Sequence, residues 1–178
     1  MSDNSSIKLQ YLGTIIALVI SSMALLVSVY EATIMQSQQK AMVWPYVKIS
    51  TGYSYDGFTV YASNNGIGPA LIESVEVQIN GKAVSSFDAL LDAAQPDRTF
   101  GYDIVKMGSL NGTVIKAGEK RMFLRFPINE QTQPALKNMN NVNVKLQFNS
   151  VLGDSWVFDL QSDKVREGTF KSSLEFEN

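Results

Sequence analysis

Three pairs of carboxylates lie close enough along the chain to act together: Glu73 with Glu76, Asp88 with Asp92, and Asp159 with Asp163. Two carboxylates at such spacing can divide acid and base work on a glycosidic bond or hold Ca²⁺. None of them sits in an Asp-x-Asp-x-Asp-Gly-like loop, and dispersed charges of this kind ordinarily face water, so they are expected to be structural. Nucleophilic chemistry has less to draw on. The chain contains no cysteine and no histidine, which removes thiolates, Ser–His pairs, zinc–sulfur sites and imidazole ligands. The glycine-rich run from Asn64 to Ala70 has neither GxxxxGK[ST] nor GxGxxG spacing and no helix behind it, so it does not read as a phosphate cradle. A net charge of −2 with interspersed signs leaves no basic patch for nucleic acid. The expectation is a protein that is not an enzyme and carries no cofactor or metal. What remains is recognition by loop aromatics. Tyr53 and Tyr55 form one pair and Phe100 and Tyr102 another, and tyrosines on loops anchor partners. The same rings would equally plug the end of a β-sandwich.

The elements that would carry these residues are mostly strands. From Pro45 onward apolar residues alternate with polar ones: PYVKIS, FTVYASN, VEVQI, RMFLRF, VNVKLQF and WVFDL each present one apolar and one polar face. Such runs predict an antiparallel, two-layer domain. YDIVKM reads as a seventh strand, with KAV and TVI as short edges, and Val60, Val77, Leu124, Val144, Leu146, Trp156 and Phe158 as core. Asn80-Gly81 is a two-residue hairpin signal, because a type I′ turn needs positive φ at both centres. Asp56-Gly57, Gly153-Asp154 and Gly118-Glu119 are read as further hairpin turns. SSFDALLDAAQ breaks the rhythm, with Ser85 or Ser86 as a helix cap and Phe87, Leu90 and Leu91 on one side. A second short helix is expected around 133–139.

Ahead of the strands, residues 12–29 carry no charge, proline or asparagine. As a helix they reach roughly 27–30 Å, the thickness of a hydrocarbon core. The preceding residues lack the positive charge of a secretory signal, and no small-x-small cleavage site follows, so the segment is expected to stay as an anchor in the lipid bilayer. Gly13, Ala17, Ser21, Ala24 and Ser28 recur on one helical face, a ridge through which two such helices can approach. Helix formers continue to Val43, where Trp44-Pro45 must end the helix. Trp44 and Tyr46 are expected to open the first strand. The organisation predicted is a polar N-terminus over 1–10, a transmembrane helix over 11–30, a helical stalk over 31–43, a β-sandwich over 44–165 and a tail over 166–178.

The stretch YASNNGIGPALIESVEVQINGK resembles the N-x-G…A stretch of bacterial immunoglobulin-like domains. Together with the anchor, the SVYEA stalk and WPYV, its NNGIGPA motif is similar to a group of uncharacterised bacterial single-pass membrane proteins, over roughly residues 10–85. The resemblance implies a mainly β, Ig-like sandwich of about seven strands in the inner (cytoplasmic) membrane, and brings no catalytic residues. With no catalytic constellation among the residues, the expected role is a non-catalytic interaction or scaffold module with a protein partner. The other reading is an envelope sensor, or a carbohydrate- or small-ligand-binding domain that uses the loop aromatics. Lys8 on one side of the span against Lys40 and Lys48 on the other tilts the β domain toward the cytoplasm.

Overall fold

The computed structural model describes residues 3–55, 57–101 and 104–176, and within them all side chains except those of residues 3–6 and 140. The chain divides into two compact units, Met1–Ala41 and Met42–Asn178. The first is essentially one helix, α1, Asp3–Met42, of 40 residues. Uninterrupted helix formers carry it, and it ends three residues before Pro45, as the missing amide of that proline requires. It is long and apolar enough to cross a membrane, with its apolar window wholly exposed. The hydroxyls of Thr14, Ser21 and Ser22 donate to the carbonyls of Gln10, Ala17 and Leu18. Their polarity is therefore spent inside the helix, which makes hydrocarbon tolerable around them.

The second unit runs β1 (Val47–Ser54), β2 (Gly57–Asn64), β3 (Ala70–Ile79), β4 (Lys82–Val84), α2 (Phe87–Ala94), β5 (Lys106–Met107), β6 (Val114–Ile115), β7 (Lys120–Phe126), α3 (Gln133–Asn138), β8 (Val142–Asn149), β9 (Ser155–Asp159) and β10 (Lys164–Glu167). All strand pairs are antiparallel. One sheet has the order β1-β2-β7-β5; the other has β10-β9-β8-β3-β4, with β6 also on β3. Both feed one buried cluster, in which Val47, Val60, Val77, Leu124, Val144, Leu146 and Phe158 meet. Trp156 is only half-buried and stacks on Phe148 at 6.0 Å. Alternation accounts for most of this, because each strand shows one face to the other sheet.

The differences from expectation have local causes. Among the described residues there are ten strands: KAV and TVI give the expected short edges β4 and β6, only Lys106 and Met107 of YDIVKM are strand, and the four-residue β10 is an addition too short to show a period. Gly118-Glu119 joins β6 in one sheet to β7 in the other, so it is a crossover rather than a hairpin turn. On β7 both Phe123 and Leu124 are buried, although alternation puts Phe123 outside. The β2–β7 register slips between Val60 and Tyr61, leaving Phe123 as an extra residue that turns inward. Trp44 lies ahead of β1 and is exposed.

Residues 166–176, expected as part of a tail over 166–178, are built into the domain. After β10 the chain crosses the outer face of the β8/β3 sheet. The Phe170 amide donates to Gln147 Oε1, and Ser172 and Ser173 donate to Glu76 Oε2. Between β4 and β6 the edge of β3 has no strand partner among the described residues, and there the Phe176 amide donates to the Val75 carbonyl. The ring of Phe176 enters the core against Phe87 and Phe123, at 4.8 and 5.8 Å. An outward carboxylate, Glu76, is thereby buried at 4% exposure.

Candidate functional site

Asn64 and the two glycines after it show what the NNGIGPA motif does. Asn64 is fully buried at the end of β2. Its Oδ1 accepts from the amides of Tyr46 and Gly66, and its Nδ2 donates to the carbonyls of Gly68 and Ile115. The Trp44 carbonyl accepts from the amides of Ile67 and Gly68. A Cβ on Gly68 would overlap the Val43 carbonyl, and one on Gly66 the backbone of Trp44 and Tyr46. The motif therefore clamps the segment 43–46 onto the domain. Its glycines are needed for close backbone approach, and the role is structural.

At the opposite end of the strands the two sheets part. Val47, Ile49, Thr51 and Tyr53 share one face of β1; the first two are buried, and the last two run out past the core. The parted sheets leave an open cleft of about 610 Å³. One wall is Thr51, Tyr53 and Phe58; the other is built from Gln78, Asn80 and Gly81 after β3, Asn141 and Asn143 at the start of β8, and Gln161 after β9. No Asp, Glu, Lys or Arg lines it among the described residues. Tyr53 is 73% exposed, with its ring 5.0 Å from that of Phe58. Asn80 and Gly81 have φ of 51° and 78°, as their hairpin turn requires.

The amides on the second wall are held from behind. Asn141 Nδ2 donates to Asn80 Oδ1 at 3.0 Å, and Asn143 Oδ1 accepts from the Gln161 amide at 3.0 Å. Gln78 Nε2 donates to Glu76 Oε1 at 2.6 Å. Gln78 and Asn143, paired across β3 and β8, follow the pleat to the outer face with Glu76, whereas Asn80 and Asn141 each keep one half unspent at the cleft. Beneath the cleft, and sharing Thr51, Phe58, Met139, Val142 and Leu160 with it, lies an apolar pit of about 50 Å³ floored by Val77, Leu90 and Leu124.

The loop aromatics separate. Tyr53 is on the cleft, while Tyr55, fully exposed, is not among its walls. Phe100 is 3% exposed and meets Phe126 edge-on at 6.4 Å, so it plugs the core and offers no surface. Arg98 holds its loop down, donating to Asp88, Asp92 and the Phe100 carbonyl. Burial of this guanidinium opposes its charge, yet the bonds and field of Asp92 and Asp88 raise its pKa overall. Tyr102 lies outside the described residues.

The carboxylates are spent on structure as well. Asp88 and Asp92 serve Arg98, and Asp163 pairs with Lys48 at 3.0 Å. Glu73, the extra residue where the β3–β8 register slips, accepts from Gln147 and Asn149. No group of three or more potential metal ligands occurs among the described residues. On α1, Gly13, Ala17, Ser21, Ala24 and Ser28 are all exposed. Sequence reasoning found Tyr53 but missed Asn80 and Asn141, which come from two strand ends far apart in the chain. Comparison with protein-family models, curated proteins and solved structures returns no match.

Proposed function

We propose that the protein is a single-pass, membrane-anchored binding module. Its apolar helix stays inserted, and its two-sheet domain, an immunoglobulin-like sandwich, recognises a small uncharged ligand in the cleft beside Tyr53. One observation carries this reading: the exposed ring of Tyr53 faces Asn80 and Asn141 across one uncharged cleft, and these two asparagines hold each other while each keeps a hydrogen-bonding group to spare. A cleft of about 610 Å³ is in the usual range for small-molecule sites. The lack of cysteine and histidine supports a role in binding and not in catalysis. To test it, the full chain in lipid nanodiscs is screened by thermal shift against uncharged polar compounds. Hits are expected whose shift disappears in Asn80→Ala and Tyr53→Ala. A screen in which every hit survives both substitutions rejects the cleft as the site.

A scaffold role has its own support at the other end of the domain. Leu71 and Val114 are exposed and face each other across β3 and β6; Ile67, Val151 and Leu152 are exposed on nearby turns. Exposed apolar residues grouped in this way favour contact with a protein partner. The ridge Gly13, Ala17, Ser21, Ala24 and Ser28 supports self-association of the anchor. The lysines flanking the span favour a cytoplasmic-membrane protein with its β domain inside the cell.

A further inference from the structure

We infer that the ligand of the cleft is an uncharged sugar bearing an acetamido group, an N-acetylhexosamine unit of a glycan. The inference rests on the cleft being the binding site, as proposed above, and goes on to name the chemistry that fits it. A pyranose presents two kinds of surface at once: a rim of hydroxyls, each wanting a donor and an acceptor, and a face of C–H groups. The second wall answers the rim. Asn80 Nδ2 is an unspent donor and Asn141 Oδ1 an unspent acceptor, side by side at the mouth of the cleft. Tyr53, on the facing wall, offers an exposed flat ring backed by Phe58 to the C–H face.

Other ligand classes fit less well. An anion or cation would lose its water without gaining a countercharge, since no charged side chain lines the cleft among the described residues. A purely apolar ligand would cover the amides and leave them unpaired. The pit decides between plain and acetamido sugars. At about 50 Å³ it is far too small for a second ring, yet its apolar walls accept a methyl group. It opens from the cleft through shared walls, Phe58, Met139 and Leu160 among them. A sugar seated against the amides can thus send the methyl of an acetamido group into the pit, while the amide of that group stays at the polar rim.

The experiment titrates the full chain, in nanodiscs made from lipids without sugar headgroups, with the tetramer of N-acetylglucosamine and the tetramer of glucose. Binding is read by calorimetry. The acetamido tetramer is expected to bind at least about ten-fold more tightly than the glucose tetramer, and Tyr53→Ala and Asn141→Ala each to weaken it by about ten-fold, the scale of losing one buried contact. Tyr55→Ala, outside the cleft, is expected to change nothing. Equal affinity for the two tetramers overturns the acetamido assignment. No heat with either tetramer up to about 10 mM, in protein that still melts cooperatively, overturns the sugar assignment altogether. The cleft itself then stands or falls separately: compounds from the screen that still depend on Asn80 keep it as a site, and their absence removes it.

Discussion

Asn64 and Phe100 show how much of a residue's role depends on what folds against it. Asn64 was legible as the last residue of the FTVYASN strand, since the Asn-Gly-Ile-Gly-Pro after it cannot continue one. Its role as the hub of a clamp was not. The groups it binds, on Tyr46, Gly66, Gly68 and Ile115, come from segments that local spacing cannot connect. Replacing it with alanine leaves buried donors and acceptors unpaired, and each such group costs about 1–3 kcal/mol. Asn64→Ala is therefore expected to lower the stability of the β domain by about 3 kcal/mol in denaturant unfolding, with Asn65→Ala, on an exposed neighbour, within about 0.5 kcal/mol of the parent. A small effect at Asn64 would mean that water replaces the clamp. The aromatics teach the same lesson. Tyr53 and Phe100 look alike in the sequence, but a core-facing β1 position that outruns the sheet is exposed, whereas a loop tethered by Arg98 turns its ring inward.

Among the elements, period-two patterning located the long strands because each has one wet face and one dry one. It failed where that contrast disappears. At Phe123 a bulge changes the phase, and at Glu76 and Gln147 both faces of the sheet are covered, the outer one by residues 168–176. The covering strap is sensitive to acid. Burial raises the cost of charging Glu76, but the Ser173 amide and hydroxyl, Gln78 and Ser172 all donate to it and hold its carboxyl below the usual range near 4.5. A carboxylate with a depressed folded pKa binds protons more readily when unfolded. Its stabilisation is thus complete above about pH 4.5 and is lost as pH falls through the lower folded value. Glu76→Gln is expected to cost about 1–3 kcal/mol at neutral pH, since hydrogen bonds to a charged group are replaced by weaker or mismatched ones. The gap between its melting temperature and the parent's should hold from pH 6 down to about pH 4.5 and narrow below it. A gap that does not change with pH would show that the strap needs only the shape of the side chain.

At the scale of the whole molecule, sequence alone was strongest at the two ends of the size range. One long apolar run against many alternating ones separates the helix from the β domain, and the structure divides at the same place, near Met42. The cleft belongs to neither kind of pattern. It exists because strand ends scattered from Thr51 to Gln161 finish at one pole of the domain, a consequence of register that no local window contains. Orientation across the bilayer is again a property of the entire chain, set as it inserts. Positive residues close to a span are retained on the cytoplasmic side, and acidic ones count for little. Lys8 stands four residues before the uncharged run, while Lys40 and Lys48 follow it. A reporter active only after export, fused behind residue 178, is therefore expected to stay silent, and one that fluoresces only in the cytoplasm to be bright. Adding two lysines between residues 2 and 7 should reverse both signals, because the bias being overcome is a single charge. An export reporter that is active in the parent would put the β domain outside. The cleft would then face the glycans of the envelope and not those of the cell interior.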